Sequence, residues 1–201
     1  MDDMRQKRIR QATREAMAAA GVIIGPTPLM LTKKTVSLEI GSGKGRFITD
    51  LAKDHPDALF LAMEININVC YRIMQKKQEM GLDNLLIILG DAKELDQYLP
   101  PASVDRLYLN FSDPWPKARH HKRRLTAPAF LDLYDKVMKK HGIIQFRTDH
   151  EGFFEDTLMT VHGRYAITDI RYDLPPGPYM TEYEEKKRAD GPIYQLTLEV
   201  K

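Results

Sequence analysis

Short apolar runs alternate with helix-like segments along most of this chain, and this alternation constrains the fold more than any other feature. Strands joined by crossover helices run parallel, so the pattern predicts a doubly wound α/β sheet. Residues 165–172 and 193–200 are both β-like and suggest an antiparallel addition at one sheet edge. We therefore predict an α/β fold whose sheet is mostly parallel with an antiparallel edge. Five further strands are predicted at Val36–Ile40, Ala58–Met63, Leu85–Leu89, Val104–Leu109 and Ile143–Phe146.

The first 35 residues differ from the rest of the chain. Residues 3–19 are rich in Arg, Lys, Gln and Ala without Pro or Gly, which predicts a helix, and residues 21–34 resemble an irregular linker. We divide the chain into a basic N-terminal arm with its linker, residues 1–35, and one main domain, residues 36–201. The basic side chains of the arm form either a solvated helix face or a contact surface for a polyanion. They are Arg5, Lys7, Arg8, Arg10 and Arg14.

Composition places the chain among soluble globular proteins, with 43% hydrophobic and 29% charged residues. Cys70 is the single cysteine, so no intrachain disulfide is possible, which favours a reducing, cytoplasmic setting. The basic start and the apolar stretch 16–31 loosely resemble a secretory leader, but Glu15 and the Gly-Pro-Thr-Pro sequence at 25–28 interrupt that pattern. No run is long and apolar enough to span a bilayer, so we expect a cytoplasmic protein without membrane association.

A glycine-rich turn follows the first strand of the main domain and predicts a cofactor site. Gly41 and Gly43 allow a tight turn and close approach of a ligand at the carboxyl edge of the sheet. Arg46 replaces the third glycine of a dinucleotide fingerprint, and Gly45 replaces the Ser or Thr of a phosphate-binding loop. The carboxylate of Glu39 would repel a diphosphate and attract an ammonium group. S-adenosylmethionine, which carries an ammonium and a sulfonium but no phosphate, is the cofactor that fits.

Two more carboxylates end the next strands. Glu64 lies about 20 residues past the turn, where an acidic side chain can hydrogen-bond both ribose hydroxyls. The alternative is a surface carboxylate, or a cap for a helix beginning near Asn66. Asp91 and Ala92 end the third strand at the expected adenine rim of the cleft. Asp91 also forms a helix-capping pair with Glu94, and both roles are possible together.

The most informative stretch is Leu-Asn-Phe-Ser-Asp-Pro-Trp-Pro-Lys at 109–117, which follows the fourth strand of the main domain. Asp113 and Trp115 both precede a proline, which favours an extended conformation and a stiff loop. A fixed carboxylate is useful where charge develops during a reaction, as in methylation of a purine ring nitrogen, and Asp113 is the catalytic candidate. The alternative is a generic turn with a core tryptophan.

A dense basic run follows this loop and predicts contact with RNA. Like charges at this density repel one another, so a polyanion is their natural partner. A merely solvated run is the alternative. No metal site is predicted, because adjacent histidines lack ligand spacing and no third ligand is apparent. The residues concerned are Arg119, His120, His121, Lys122, Arg123 and Arg124, preceded by Lys117.

Two later segments also carry polar groups to the cleft. Thr148 and Asp149 close the fifth strand, and Thr181 and Glu184 form a capping-box pattern for a helix through about Ala189. This second segment is either a plain helix start or a segment that binds the edge of a guanine that carries its hydrogen-bond donors.

Five stretches together resemble the bacterial tRNA (guanine-N(7)-)-methyltransferase family, and the resemblance covers about residues 36–200. The middle and last motifs are specific, whereas many methyltransferases share the first. The stretches are Glu-Ile-Gly-Ser-Gly-Lys-Gly-Arg-Phe (39–47), Leu-Asn-Phe-Ser-Asp-Pro-Trp-Pro-Lys (109–117), His-Lys-Arg-Arg-Leu (121–125), Thr-Asp (148–149) and Met-Thr-Glu-Tyr-Glu (180–184).

The resemblance implies a Rossmann-like, class I S-adenosylmethionine-dependent methyltransferase domain that methylates N(7) of a guanine in the tRNA variable loop. It implies cofactor contacts from Glu39, Glu64, Asp91 and Asp113, with Asp113 also catalytic. Arg119 to Arg124 would then meet RNA, and the protein would act as a monomer or homodimer. The implied substrate contacts are Lys117, Asp149, Thr181, Glu182, Tyr183 and Glu184.

Three other functions fit parts of the pattern. A methyltransferase acting on another RNA base or an amino group shares an acidic residue before proline. A non-catalytic RNA-binding protein would not need the glycine turn together with Glu39, Glu64 and Asp91. A nicotinamide-dependent dehydrogenase is disfavoured by Arg46 at the last glycine position of the fingerprint.

Overall fold

A computed structural model describes residues 8–201 of the chain, and residues 3–7 of the predicted N-terminal helix lie outside this range. Eight strands of the described part form one sheet in the order β1-β4-β3-β2-β5-β6-β8-β7. The strands are β1 (Ile23–Ile24), β2 (Val36–Ile40), β3 (Leu59–Glu64), β4 (Leu85–Leu89), β5 (Val104–Asn110), β6 (Met138–Thr148), β7 (Ala166–Arg171) and β8 (Tyr194–Glu199).

The six strands from β1 to β6 pair in parallel, and β8 pairs antiparallel with both β6 and β7. The predicted mostly parallel sheet with an antiparallel edge is confirmed. Seven α-helices of the described residues accompany these strands. They are α1 (Arg14–Ala19), α2 (Arg46–Asp54), α3 (Ile67–Met80), α4 (Leu95–Tyr98), α5 (Pro128–Val137), α6 (Glu151–Val161) and α7 (Glu182–Lys187).

The helices cover both faces of the sheet with apolar side chains. One buried cluster packs α4, α5 and α6 against the sheet and includes Tyr134 and Phe153, both 0% exposed. The other packs α1, α2 and α3 on the opposite face and includes Met17 and Ile73. Because β2 and β3 are covered on both faces, every residue in them is buried, including polar ones. This double cover leaves the carboxyl ends of the strands as the place where polar groups meet.

The N-terminal segment departs from its prediction. Among the described residues of this segment, helix is confined to α1, because Thr13 caps its start through a hydrogen bond from the Ala16 amide. Before it, a turn spans residues 9–12, and the Ile9 amide donates to Asn68 Oδ1 at the start of α3 (2.8 Å). The predicted linker also contains a strand, since β1 pairs with the outer edge of β4. Tertiary contacts to α3 and β4 explain both differences.

Candidate active site

The carboxyl ends of β2, β3, β4 and β5 surround a cavity of about 520 Å³. This volume lies within the range of small-molecule sites in proteins. Most of the predicted cofactor residues line it, together with one residue of the basic run. The predicted residues in its wall are Gly41, Glu64, Asp91, Ala92, Asp113 and Arg123. A larger cavity of about 650 Å³ lies between α2 and strands β5 and β6, but it contains none of the predicted site residues.

Glu39 lies directly behind this wall, one residue before Ile40, and is only 1% exposed. Asn110 Nδ2 donates to Glu39 Oε1 (2.8 Å), whereas Glu39 Oε2 is buried with no protein partner. Burial raises the pKa of Glu39 to about 8, and the hydrogen bond from Asn110 only partly offsets this rise. Ser112 Oγ, in the cavity wall, is also buried without a partner. These unpartnered oxygens can accept hydrogen bonds from a cationic donor.

Glu64 joins the glycine turn to the next strand. Its Oε2 accepts from the Gly43 amide (3.1 Å), and its Oε1 accepts from the Asn66 amide (2.9 Å). Burial raises the pKa of Glu64, and the negative charge of Asp113 adds to this effect. Gly41 has φ of 72°, and no atom lies within 4 Å of the position that a Cβ would take there. The turn therefore leaves open space for a ligand beside a carboxylate.

Asp91 caps a turn, as the sequence predicted, and its contact with a cofactor stays a prediction. Its carboxylate accepts from the Lys93 amide (3.0 Å) and so caps a short 3-10 turn at Ala92–Glu94. Asp91 and Ala92 also line the cavity beyond β4.

The Asp-Pro-Trp-Pro loop overhangs the cavity, and Asp113 is exposed in its wall. Phe111 and Trp115 have φ of 53° and 42°, left-handed values that bulky residues rarely adopt. Trp115 was predicted to be extended because it precedes a proline, and this prediction is wrong. A left-handed residue of this kind costs about 1–3 kcal/mol and persists only where its surroundings hold it.

The basic run supplies those surroundings. The Arg123 guanidinium lies over the Trp115 ring, 4.9 Å from its centroid, and the His120 ring meets the same ring edge-on at 5.8 Å. Lys117, Arg119 and Lys122 are exposed. The run therefore follows the loop that lines the cavity, as the sequence predicted, and returns to the cavity wall at Arg123.

Arg124 departs from its predicted RNA contact. Its side chain is buried, and Nε donates to the Pro114 carbonyl (2.7 Å). Nη1 donates to Asp156 Oδ2 (2.8 Å), and Nη2 lies 3.0 Å from His121 Nε2. A guanidinium with these partners is not available to bind an RNA phosphate. The His121 ring faces this guanidinium.

Asp149 and Tyr183 meet at a second rim of the cavity. The Tyr183 hydroxyl donates to Asp149 Oδ2 (3.0 Å), and its ring packs against Phe111, with centroids 5.2 Å apart. Burial raises the pKa of Tyr183 to about 12, and the charges of Asp149 and Asp113 add to this rise. Tyr183 therefore contacts a residue of the cavity wall, and Asp149 adjoins Tyr183, but neither of the two lines the cavity itself.

The other predicted substrate residues of α7 have structural partners. Glu184 is 0% exposed, and Arg147 and Arg188 both donate to its carboxylate, so it does not face a substrate. Thr181 Oγ1 accepts from the Glu184 amide (2.9 Å), which confirms the predicted cap. Glu182 pairs with Lys76 of α3; burial acts to raise its pKa, but this ion pair and the helix backbone lower it overall.

Three polar residues in or beside the site were not predicted individually. Asn110 and Ser112 stand inside the 109–117 motif, and their polarity at the end of an apolar strand was the available signal. For Arg147 the available signal was its own charge, which directly follows an apolar strand. In residues 8–201 no group of three His, Cys, Asp or Glu side chains is placed to hold a metal ion. No helix of that range is long and apolar enough to cross a membrane.

Comparison with known proteins identifies relatives of this chain. Residues 33–196 match the model of a family described as putative methyltransferase. The tRNA (guanine-N(7)-)-methyltransferase of Lactobacillus gasseri is 44% identical over 172 residues, which cover 81% of this chain and 79% of that protein. The enzyme of the same name from an Exiguobacterium species is 46% identical over 166 residues, covering 79% and 77% of the two chains.

Solved structures with the same fold are more distant in sequence. An antibiotic-related methyltransferase superposes with a TM-score of 0.63 at 16% identity and covers 88% of this chain and 98% of its own. A SAM-dependent methyltransferase from Aquifex aeolicus superposes with a TM-score of 0.60 at 13% identity, over 86% and 85% of the chains. The fold is therefore the Rossmann-like methyltransferase fold. With a family match over most of its length and relatives above 40% identity, the chain belongs to the tRNA (guanine-N(7)-)-methyltransferase family.

Proposed function

We propose that this protein transfers the methyl group of S-adenosylmethionine to N(7) of a guanine in the variable loop of tRNA. The observation that carries the proposal is one cavity wall that contains Glu64, Asp113 and Arg123. A pocket suited to a cationic cofactor without phosphate opens there beside a cation suited to RNA phosphates. The names of the curated relatives, which specify guanine N(7) and tRNA, support this choice of base and atom.

The polar groups around the cavity fit the proposed cofactor. Glu39 Oε2 and Ser112 Oγ are buried and unpartnered, so both can accept hydrogen bonds from the cofactor ammonium. Glu64 ends β3 with its carboxylate in the cavity wall, where it can accept from ribose hydroxyls. Asp91 and Ala92 would border the adenine. When bound, S-adenosylmethionine supplies an electrophilic methyl group on a sulfonium.

Asp113 acts electrostatically in this proposal. Guanine N(7) has a free lone pair, so no base has to remove a proton before methyl transfer. The ring becomes cationic as the new bond forms, and a fixed carboxylate in the cavity wall stabilises that charge. The rings of Phe111 and Trp115 line the same wall as Asp113. Their positions also restrict how a purine can enter, which aligns its nitrogen with the methyl group.

Lys117, Arg119, Lys122 and Arg123 would hold the tRNA backbone. Their side chains are exposed along one short segment that begins next to Asp113. Phosphate contacts of this kind position a substrate without reading its sequence. Asp149 and Tyr183, at the rim beside Phe111, are the proposed contacts to the guanine itself.

The direct test is to incubate unmodified tRNA with radiolabelled S-adenosylmethionine and to identify the labelled nucleoside. We expect label in 7-methylguanosine. A matched transcript whose variable-loop guanines are replaced by adenine should remain unlabelled. Label in another nucleoside, or none with an intact transcript, contradicts the proposal.

A further inference from the structure

Arg124 is the one member of the basic run 117–124 whose side chain is buried, at 6% exposure. Its guanidinium donates in three directions, to the Pro114 carbonyl, to Asp156 on α6 and towards the His121 ring. The planar group also lies over the Phe153 ring, 4.9 Å from its centroid. Phe153 is 0% exposed, so this contact ties Arg124 to the core of the protein.

The bond to Pro114 connects this buried group to the reactive loop. Pro114 lies between Asp113 and Trp115, and its carbonyl accepts from Arg124 Nε at 2.7 Å. We propose that Arg124 is a positioning residue that fixes the Asp-Pro-Trp-Pro loop through this carbonyl and so holds the Asp113 carboxylate at the cavity. The catalytic consequence rests on the proposed function of the site, whereas the effect on the loop does not.

The backbone of the loop explains why such an anchor is needed. Phe111 and Trp115 both hold left-handed φ values, and such conformations relax unless neighbouring groups oppose the change. Arg124 acts on the peptide immediately before Trp115, while Arg123 lies over the Trp115 ring. The loop is therefore held from the protein interior by one arginine and from the cavity side by the other.

The chemistry of the anchor requires arginine. Its planar fork presents fixed donors to the Pro114 carbonyl and Asp156 at once. A lysine keeps the positive charge but offers a single ammonium on a flexible stem, so it cannot reproduce this geometry. Arg124→Lys thus separates charge from positioning.

Trp115 gives a direct report on the loop, because it is the single tryptophan of the chain. We expect Arg124→Lys to lower the anisotropy of Trp115 fluorescence and to increase its quenching by acrylamide. We also expect kcat to fall by roughly 100-fold, since a small displacement of a reacting group has effects of this size. The Kd for tRNA and its dependence on salt should stay at the wild-type values.

Asp156→Asn provides a second variant. Asp156 is 55% exposed on its side chain, so its replacement preserves the core and tests the anchor even if Arg124→Lys does not fold. It should change Trp115 fluorescence and kcat in the same direction but less. Unchanged Trp115 fluorescence and kcat in both variants overturns the proposal. A weaker, less salt-dependent affinity of Arg124→Lys for tRNA overturns it too, because Arg124 would then be an RNA contact. An inactive wild-type protein whose Trp115 responds as expected contradicts the proposed function alone.

Discussion

Glu39 gives the active site a dependence on pH. Its pKa is raised by burial from an ordinary 4.5 to about 8, so between these values the folded protein holds a proton that the unfolded chain has released. The free energy of unfolding should therefore decrease as pH rises through this interval. Glu39→Gln removes this contribution, and the ligand-free variant should be more stable than the wild type at pH 8. Urea unfolding at several pH values measures this difference. Parallel pH profiles for the two proteins would contradict it.

Under the proposed function, the same carboxyl group would link cofactor binding to proton release. A cofactor ammonium pairs with the ionised form of Glu39, so at pH 7 binding should release a proton from it. Titration calorimetry in buffers of different ionisation enthalpy measures this release, and affinity should increase as pH rises towards 8. Glu39→Gln should bind more weakly and release no proton. Equal release by both proteins would place the titrating group elsewhere.

Asp113 is expected to act on the rate much more than on cofactor affinity. It lines the cavity but does not contact the buried Oε2 of Glu39, the oxygen atom that is available to the ammonium. Asp113→Ala should lower kcat by roughly 100-fold or more, the size of effect seen when one electrostatic contact to a transition state is removed. The Kd for S-adenosylmethionine should change only a few-fold. Asp83→Ala, which removes an exposed carboxylate from the turn before β4, is the control. Near-normal turnover of Asp113→Ala would exclude its central role.

At the scale of elements, the glycine turn is fixed by packing as well as by ligand access. Gly45 caps α2 with φ of 83°, and a Cβ there would lie 2.9 Å from Ile73 Cγ2 on α3. Gly81 caps the end of α3 with φ of 63°, but a Cβ there meets no atom within 4 Å. A side chain at Gly81 would therefore cause backbone strain alone, whereas a side chain at Gly45 would cause both backbone strain and overpacking between α2 and α3.

Gly81→Ala should destabilise the protein by about 1–2 kcal/mol, the penalty of a left-handed residue. Gly45→Ala should lose about 1–3 kcal/mol more, because the added methyl group overpacks the contact with Ile73. Urea unfolding of the ligand-free proteins measures both values. Equal losses would mean that α2 and α3 can separate at little cost.

Sequence patterns predicted the elements whose signals are local. The strands β2 and β4 have the predicted bounds because each is a short apolar run buried between helices. The strand β1 escaped prediction because two residues carry no periodicity and become a strand only beside β4. β6 begins at Met138, five residues before its predicted start, because it follows α5 directly and pairs with Val104.

The sequence placed side chains at strand ends correctly beside one another, whereas it misplaced charged side chains that turn inward. Glu64, Asp91 and Asp113 meet at one cavity because parallel strands bring their carboxyl ends to the same edge. Arg124 and Glu184 have the sequence appearance of surface charges, yet both are buried. Glu184 also pairs locally with Arg188, but the other partners, Asp156 and Arg147, are 32 and 37 residues distant in the chain, and no local pattern reveals those two pairs. The division into an N-terminal arm, residues 1–35, and a main domain, residues 36–201, stays a prediction.

At the scale of the whole molecule, charge is distributed unevenly over a chain whose net charge is only +2. The exposed cations of the basic run, Lys117, Arg119, Lys122 and Arg123, lie in one segment beside the cavity. A polyanion would therefore bind at this edge through local contacts, because the overall charge is too small to attract it from a distance. Lys140 is also exposed, but it lies near the start of β6, away from the carboxyl ends of the strands.

Neutralising the four exposed cations of the run should weaken tRNA binding and make it less sensitive to salt. Each phosphate contact contributes roughly 0.7–0.9 to the slope of log Kd against log salt concentration, so loss of all four should lower the slope by about 3. Lys140→Gln should leave both the affinity and the slope unchanged. Filter binding between low and moderate salt measures these slopes. If the fourfold variant keeps the wild-type slope, the tRNA backbone is held by another surface, and Arg123 faces the cavity only to hold Trp115.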